Sequence, residues 1–235
     1  QAGVQIAIIV DEYDVPLLHT YETVHHDACR EIYRNFFTGL KDYGYCIKCV
    51  FITGITKFTQ ISMFGMLNTL VNISFRNGYA AICGFTKDEV ICNFSEHLSE
   101  LADNNAITKS ALMDTMSSIY GGYHFSSGLI VVCNPFSVCN ALVNLRLNSY
   151  WIASGSNEML LKVLRKFINE IPELDNCLID SDYLEMSDVN MNDPKLFLYQ
   201  FGYLTIKKVV GSSYMLGYPN REVRNAMLGM SLPNG

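Results

Sequence analysis

The sequence predicts an α/β fold, and three of its features carry that prediction. Residues 4–10 and 47–53 are apolar runs rich in β-branched side chains, and an amphipathic segment over residues 20–42 separates them. A nearly unbroken apolar run is typical of a strand covered on both faces of a parallel sheet, and the order strand, helix, strand implies a crossover connection. Helical patterns dominate from residue 86, and a hairpin pattern follows near the carboxyl terminus.

The composition limits the class of protein further. Of the 235 residues, 49% are hydrophobic and 17% are charged, which indicates a globular chain long enough for a sizeable core. The net charge of −6 argues against non-specific nucleic-acid binding by the whole chain. No apolar run approaches the roughly 20 residues of a membrane-spanning helix, and the start lacks the pattern of a signal peptide. We expect a cytoplasmic protein without a membrane anchor, and the absence of an initiator Met suggests an internal piece.

The eight cysteines favour free thiols in a reducing compartment, because they are spread along a long chain among apolar neighbours. Cys46 and Cys49 form a lone Cys-x-x-Cys, and on a strand an offset of three would direct the two sulfurs to opposite faces. His25 and Cys29 have ligand spacing on a helix, but no further Cys/His pair stands nearby to complete a tetrahedral site. We therefore expect no metal site of the cysteine–histidine type.

Local signals assign the elements of the first half in order. The polar cluster at residues 11–14 ends the first strand, and Pro16 prevents its immediate continuation. Thr86 and Glu89 have capping-box spacing, which places the start of a helical region that runs to about residue 119. Asn134 and Pro135 supply the cap and the first-turn proline of another helix. Shorter predicted elements are a helix at 63–71, strands at 79–83 and 128–133, and a helix at 156–171.

The last third of the chain has a different character. A helix over residues 194–201 ends at Gly202, and residues 203–210 and 214–218 form a hairpin with a turn-forming centre. Asn220 follows a proline and caps a final helix that reaches about residue 230. Helices followed by such a hairpin suggest a small winged-helix-like unit.

An acidic pair follows the first predicted strand, at the sheet edge where open α/β sheets bind ligands. Asp11 suits Mg²⁺, which proteins hold by one or two carboxylates together with nucleotide phosphates. Glu12 is a candidate for orienting or deprotonating an attacking water. Thr53 ends the neighbouring strand and could place a hydroxyl near a terminal phosphate, and Lys57 could contact the same phosphate. The alternatives are a solvated turn, a threonine before a glycine turn and a surface lysine.

Seven segments, in this order, resemble the AAA-ATPase-like proteins of anaerobic bacteria, which often carry a restriction-like nuclease domain after the ATPase. The first two read Val-Asp-Glu-Tyr-Asp-Val-Pro-Leu and Phe-Ile-Thr-Gly-Ile-Thr-Lys-Phe, and together the seven cover nearly the whole chain. They are residues 10–17, 51–58, 79–85, 134–137, 150–155, 199–206 and 217–224.

The resemblance implies a fold and a set of site residues. It implies a partial P-loop NTPase sheet of the ASCE type over residues 1–85, a helical lid over 86–171 and a winged-helix-like unit over 172–235. Asp11 matches the Walker B aspartate that holds Mg²⁺, and Glu12 matches the catalytic acid beside it. Thr53 falls at the polar position of the sensor strand, which contacts ATP. The candidates for an arginine finger or second sensor are Arg146, Arg165 and Arg221, without preference among them.

The chain departs from this family in one respect. Family members place a Gly-Lys-Ser/Thr phosphate loop upstream of the acidic pair, and this sequence contains no Gly-Lys dipeptide. That loop supplies the N–H cradle and the lysine that hold the β- and γ-phosphates. We therefore expect that the chain as given does not hydrolyse ATP, and that a missing strand leaves an unpaired edge beside the second predicted strand.

Three interpretations stay open at this stage. The chain is part of an ATPase that uses ATP and Mg²⁺, or it is a non-catalytic module that binds a protein partner or a fused nuclease domain. The third is a nucleic-acid binder that uses the basic carboxyl-terminal segment. There four cations and the lone Glu222 give a local charge of +3. The four cations are Lys207, Lys208, Arg221 and Arg224.

Overall fold

The computed structural model describes residues 5–58, 70–151 and 164–231. The chain forms two compact units, one made of residues 1–72 with 186–191 and the other of residues 73–185 with 192–235. The first contains a small parallel sheet and the second a small antiparallel sheet, each accompanied by helices. The predicted mixed α/β class is confirmed.

The first unit has a two-stranded parallel sheet, as the two β-rich runs predict. Strand β1 (Ile6–Val10) pairs with β2 (Ile47–Ile52), and the helices α1 (Val15–Thr20) and α2 (His26–Asp42) lie between them in the chain. The prediction of one helix over residues 20–42 is wrong at its start. Glu22 has a φ of 58°, a left-handed conformation that separates α1 from α2.

The prediction that β1 is covered on both faces is wrong for the part of the chain that the structure describes. Ile6 is 52% exposed and Ile9 is 74% exposed, and Phe51 on β2 is 42% exposed. Three buried apolar side chains of this unit lie on its helices: Leu17 and Leu18 on α1, at 0% and 1% exposure, and Phe37 on α2, at 1%. An apolar run shows which faces can be buried, but burial requires helices or other segments packed on both faces of the sheet.

The prediction of a strand at residues 79–83 is also wrong. A 3₁₀ helix, Asn77–Tyr79, leads into consecutive turns, in which Ile82 N–H donates to the Tyr79 carbonyl and Gly84 N–H donates to the Ala81 carbonyl. These backbone groups bond locally and therefore do not form a ladder. The helix predicted at 63–71 falls outside the described residues except for its last two positions, which are not helical.

The helical region of the second unit begins where the capping box predicts. Thr86 N–H donates to Glu89 Oε2 at 2.8 Å, and Glu89 N–H donates to Thr86 Oγ1 at 3.3 Å. Asn134 likewise caps its helix by accepting from Ser137 N–H at 3.0 Å. The helices are α3 (Lys87–Asn93), α4 (Ser95–Asn104), α5 (Lys109–Tyr120) and α6 (Pro135–Asn144). Fully buried side chains from all four helices, with Val90, Leu101, Leu112 and Val138 at 0% exposure, form a closed core.

Two further predictions in this unit are corrected. Residues 128–133 form no strand, only the isolated bridges of Tyr123 with Val132 and of Phe85 with Cys133. Leu129, with a φ of 51°, interrupts the extended backbone there. Of the helix predicted at 156–171, only residues from 164 lie within the described ranges. There, residues 164–166 are helical, turns follow, and Ile171–Leu174 is a 3₁₀ helix.

The carboxyl-terminal elements surround a three-stranded antiparallel sheet. The predicted hairpin is confirmed, and its turn contains Gly211 with a φ of 60°. The sequence did not predict β3, which pairs with β5 on the side opposite β4, so that the strand order is β3-β5-β4. Asn220 caps the last helix as predicted, by accepting from Val223 N–H at 3.0 Å. The elements are β3 (Cys177–Asp180), α7 (Ser181–Met186), α8 (Pro194–Gln200), β4 (Thr205–Val210), β5 (Ser213–Gly217) and α9 (Arg221–Ser231).

Candidate functional site

The acidic pair and Thr53 lie at the same end of the parallel sheet of the first unit. The register pairs Val10 with Ile52, and Thr53 N–H donates to the Val10 carbonyl at 2.9 Å. One step further, Tyr13 N–H donates to the Thr53 carbonyl at 3.1 Å. Backbone pairing therefore continues beyond both strands, and it brings Asp11 and Thr53 to one edge. That these residues act on a nucleotide stays a prediction.

The two carboxylates of the acidic pair are open to solvent. Asp11 and Glu12 are both exposed, and Asp11 Oδ1 accepts a hydrogen bond from Glu12 N–H at 2.9 Å. Glu12 has a φ of 52°, in the left-handed region that non-glycine residues rarely adopt. Left-handed outliers of this kind concentrate at functional sites, where the surrounding structure holds them.

Asp14, three residues beyond Asp11, has a different environment and is completely buried, at 0% exposure. Its Oδ2 accepts from Thr56 N–H and from the Thr56 hydroxyl, each at 2.6 Å. Its Oδ1 accepts from Ile55 N–H at 3.2 Å. Sequence reasoning did not single out this residue, because a partner 42 positions away becomes visible only through the parallel register.

Tyr13 bonds to the same loop through its side chain. Its hydroxyl donates to the Thr56 carbonyl at 2.9 Å and accepts from Phe58 N–H at 3.1 Å, while burial raises the pKa of the hydroxyl. The Tyr13 carbonyl accepts from the Tyr33 hydroxyl of α2 at 2.7 Å. Burial raises the pKa of Tyr33 to about 12, so both hydroxyls stay protonated at neutral pH.

Gly54 allows the turn and the loop to approach this closely. A Cβ at Gly54 would lie 2.3 Å from Asp14 Oδ1 and 2.7 Å from Cδ1 of Tyr13, so any side chain would force the two apart. Lys57 belongs to the same loop, and its carbonyl accepts from Val189 N–H at 2.8 Å. The predicted residues Thr53 and Lys57 are therefore parts of one hydrogen-bonded loop.

The oxygen ligands at this edge of the sheet could hold Mg²⁺ only together with the phosphates of a bound nucleotide. Mg²⁺ prefers oxygen ligands and is held by one or two carboxylates plus substrate phosphates. The exposed Asp11 carboxylate supplies such an oxygen. Within residues 5–58, 70–151 and 164–231, no three His, Cys, Asp or Glu side chains stand close enough to hold a metal without a ligand's help.

Two of the four basic residues of the carboxyl-terminal segment make contacts within the chain. Lys207 Nζ donates to the Pro219 carbonyl at 3.3 Å, and burial lowers the pKa of this lysine. Arg224 Nε lies 3.5 Å from Asp175 Oδ2, an ion pair that neutralises one of the four charges. All four of these residues are nevertheless exposed, as are Arg146 and Arg165.

Comparison with known proteins agrees with the family expected from the sequence. Residues 1–64 match the sequence model of the AAA-ATPase-like family, described as a predicted AAA-ATPase. This confirms the resemblance over the segment that contains β1, the acidic pair and Thr53.

A longer relative extends the similarity beyond that segment. An uncharacterized protein in the vnfD 5' region of Azotobacter chroococcum mcd 1 is 28% identical over 232 residues, which cover 96% of this chain and 42% of that protein. The chain thus spans less than half the length of this relative. No solved structure matches the chain. No helix in the described parts of the chain is long and apolar enough to cross a bilayer.

Proposed function

We propose that the chain is part of an ATP-binding AAA-ATPase-like protein and that the polar end of its parallel sheet belongs to the Mg²⁺·ATP site. The observation that carries this proposal is the continued pairing of Val10, Thr53 and Tyr13, which sets the acidic pair beside Thr53 within the segment that matches the family. Polar groups at the carboxyl ends of adjacent parallel strands are where α/β sheets bind their ligands.

The residues of this edge have separate roles in the proposed site. Asp11, whose carboxylate is exposed and acceptor-only, contributes an oxygen to Mg²⁺. Glu12 orients the attacking water and takes its proton. Thr53 and Lys57 bind the terminal phosphate, as a hydroxyl donor and as a cation. Mg²⁺, when bound with the nucleotide, neutralises charge on the phosphates.

In this proposal a further segment of the parent protein supplies the phosphate loop and completes the sheet. The exposure of Ile6, Ile9 and Phe51 supports this, because strands of a nucleotide-binding sheet are normally covered on both faces. So does the longer relative, of which this chain covers 42%. The 235 residues alone then lack the phosphate cradle, and we expect them not to hydrolyse ATP.

For the rest of the chain we propose a helical lid over residues 86–171 and a winged-helix-like unit over 172–235, in a cytoplasmic protein. The strand order β3-β5-β4 and the sequence β3, α7, α8, β4, β5 support the latter. Its short helix α8 buries Leu196, Phe197 and Leu198, and Lys195 Nζ donates to the Leu178 carbonyl. This helix therefore packs into its own unit, and contact with a protein partner or a fused nuclease domain stays part of the proposal.

The second candidate is a non-catalytic nucleotide-binding or scaffold module, favoured by the missing Gly-Lys dipeptide. Glu12→Gln in the full-length protein separates the two candidates. We expect it to lower the rate of ATP hydrolysis by about 100-fold or more while ATP affinity stays unchanged, because the general base alone is removed. Asp11→Ala should instead weaken Mg²⁺-dependent ATP binding by about tenfold. Glu31→Gln changes another exposed glutamate in the same unit and is the matched control.

Steady-state hydrolysis assays and calorimetric titration with ATP, with and without Mg²⁺, measure these effects. Normal turnover in Glu12→Gln would remove the assignment of the base, and unchanged Mg²⁺ dependence in Asp11→Ala would remove that of the metal ligand. Binding without turnover in the wild type favours the scaffold module.

A further inference from the structure

Asp14 is a buried carboxylate that the proposed chemistry does not use. Its exposure is 0%, and no cation pairs with it in the described parts of the chain. A buried carboxylate is costly unless hydrogen bonds satisfy it. Here three donors do so, and all of them come from Ile55 and Thr56 in the loop that follows β2.

The chemistry of this contact requires an aspartate. All three groups that face Asp14 are hydrogen donors, and an ionised carboxylate accepts at both oxygens. An asparagine of the same shape would turn its NH₂ group toward at least one N–H and lose that hydrogen bond. Charge-assisted hydrogen bonds are about twice as strong as neutral ones, so the exchange would weaken the rest of the contact as well.

The contact joins the two backbone segments that carry the proposed site residues. Tyr13 reaches the loop on a second path through the Thr56 carbonyl and Phe58 N–H, and Gly54 leaves no space between turn and loop. Residues 11–14 and residues 53–58 thus form one hydrogen-bonded body, which we call the Asp14 latch.

We propose that Asp14 is a positioning residue that holds the loop carrying Thr53 and Lys57 in a fixed geometry against the acidic pair. This inference rests on the proposed ATPase function. Asp14 does not touch the reacting atoms, since it is buried and its acceptor sites face the loop. Its effect on catalysis comes from placement, because a displacement of about 1 Å at an active site can cost about 100-fold in rate.

The first test uses the full-length protein with Asp14→Asn and Thr56→Val. We expect both to lower kcat by about 10- to 100-fold, while the dissociation constant for Mg²⁺·ATP changes by less than about threefold. Thr56→Ser keeps the hydroxyl donor and should restore most of kcat. Thr38→Val removes a comparable hydroxyl, which donates to the Arg34 carbonyl of α2, and should leave kcat unchanged.

The second test measures how firmly the Asp14 latch holds the loop and does not depend on an activity assay. Amide hydrogen exchange at Ile55, Thr56 and Phe58 should become faster in Asp14→Asn, while exchange at the β1 and β2 amides stays as in the wild type. If Asp14→Asn does not fold, the comparison of Thr56→Val with Thr56→Ser gives the same information.

Each outcome decides between the proposals. Wild-type turnover that Glu12→Gln abolishes and that Asp14→Asn and Thr56→Val leave intact overturns the positioning role and leaves the proposed function standing. If the hydrolysis rate per total protein falls only in proportion to the folded fraction, the kcat of the folded molecules is unchanged, and this result also overturns the positioning role. Absence of hydrolysis by the wild type overturns the proposed function, and the catalytic role of the latch with it.

Discussion

Each of the two units buries a carboxylate that no cation pairs with among the described residues, and the surroundings of the two carboxylates differ. Asp14 in the first unit bonds to one neighbouring loop, at the edge of a sheet whose apolar strands stay exposed. Glu222 in the second unit is 2% exposed and accepts from the Ser137 hydroxyl at 3.1 Å and from Trp151 N–H at 2.6 Å. It therefore connects helices α6 and α9 with the segment near residue 150, inside a unit with a closed core.

This difference indicates what each carboxylate does. Around Glu222, positions 71 and 85 residues away in the chain are held together, so the carboxylate supports tertiary packing. Around Asp14, a single loop is fixed against the turn that follows β1, so the carboxylate supports the geometry of one edge of the sheet beside the exposed acidic pair. The first unit combines local order with uncovered apolar surface, which is the combination expected of a site region that other parts of a longer protein complete.

The largest effect that this comparison predicts is at Gly122 in the second unit. Gly122 has a φ of 81°, and a Cβ there would lie 2.0 Å from the Pro219 carbonyl oxygen, which is backbone and cannot move aside cheaply. Gly122→Ala should lower the free energy of unfolding by about 3 kcal/mol, from left-handed strain together with overpacking. Urea unfolding followed by circular dichroism measures the change.

Gly211→Ala is the matched control for this variant. Gly211 also has a positive φ, 60°, but nothing lies within 4 Å of a Cβ there. It should cost only the backbone strain of about 1 kcal/mol. Equal losses of unfolding free energy in the two variants would show that the close approach of residue 122 to Pro219 adds no cost. The second unit would then be less tightly packed at this position than its structure indicates.

Glu222 makes the stability of the second unit depend on pH. Burial raises the pKa of Glu222, although Trp151 N–H and the Ser137 hydroxyl oppose the shift. A raised folded-state pKa means that the contribution to stability is complete below the ordinary glutamate pKa of about 4.3 and is lost as the pH rises through the raised value. Glu222→Gln carries no charge and can still accept from Trp151 N–H with its oxygen, while its NH₂ group donates to the Ser137 hydroxyl oxygen. The variant should therefore gain stability relative to the wild type as the pH increases above about 4.3.

Unfolding midpoints of the wild type and of Glu222→Gln at several pH values measure this difference in stability. Glu89→Gln is the counterpart of opposite sign, because the Thr86 N–H and hydroxyl lower the pKa of the exposed Glu89. That variant should lose stability relative to the wild type as the pH increases through the lowered folded-state pKa toward about 4.3, and the difference should then stay constant. A flat difference for Glu222→Gln would mean that Glu222 is hydrated in solution, which would end its comparison with Asp14.

The sequence predicted the local parts of this fold and missed the long-range ones. The capping box of Thr86 and Glu89 and the hairpin turn at Gly211 depend on residues a few positions apart, and both were predicted. The bond between Asp14 and Thr56 and the bond between Ser137 and Glu222 join positions 42 and 85 residues apart, which no local pattern reveals. The acidic pair and Thr53 were placed at one edge because parallel pairing follows from a strand–helix–strand order.

Two errors have a shared physical origin. Residues 79–83 and 128–133 have the apolar composition of strands, but local turns and the left-handed Leu129 remove them from any ladder. Composition reports side-chain preference, whereas strand formation needs a partner for the backbone. The same gap explains why β1 was expected to be covered: its apolar residues predict a buried environment but not which segment supplies it.

The smallest expected effect is at Ile9, and it tests that environment directly. In the 235-residue chain, Ile9 is 74% exposed, so Ile9→Thr should change the free energy of unfolding by less than about 0.5 kcal/mol. Val138→Thr, at a position with 0% exposure in the second unit, should cost about 1 to 3 kcal/mol because it buries a hydroxyl. Thermal unfolding of both variants gives the comparison.

The same two variants, made in the full-length protein, test whether a further segment covers β1. If a further segment completes the sheet, β1 becomes covered there, and Ile9→Thr should then cost about as much as Val138→Thr. The change in context should leave Val138→Thr unaffected, because its surroundings already belong to a closed core. An Ile9→Thr effect that stays below about 0.5 kcal/mol in both forms would mean that no segment covers β1. The exposed strand would then stop supporting the proposal that a parent protein completes this sheet.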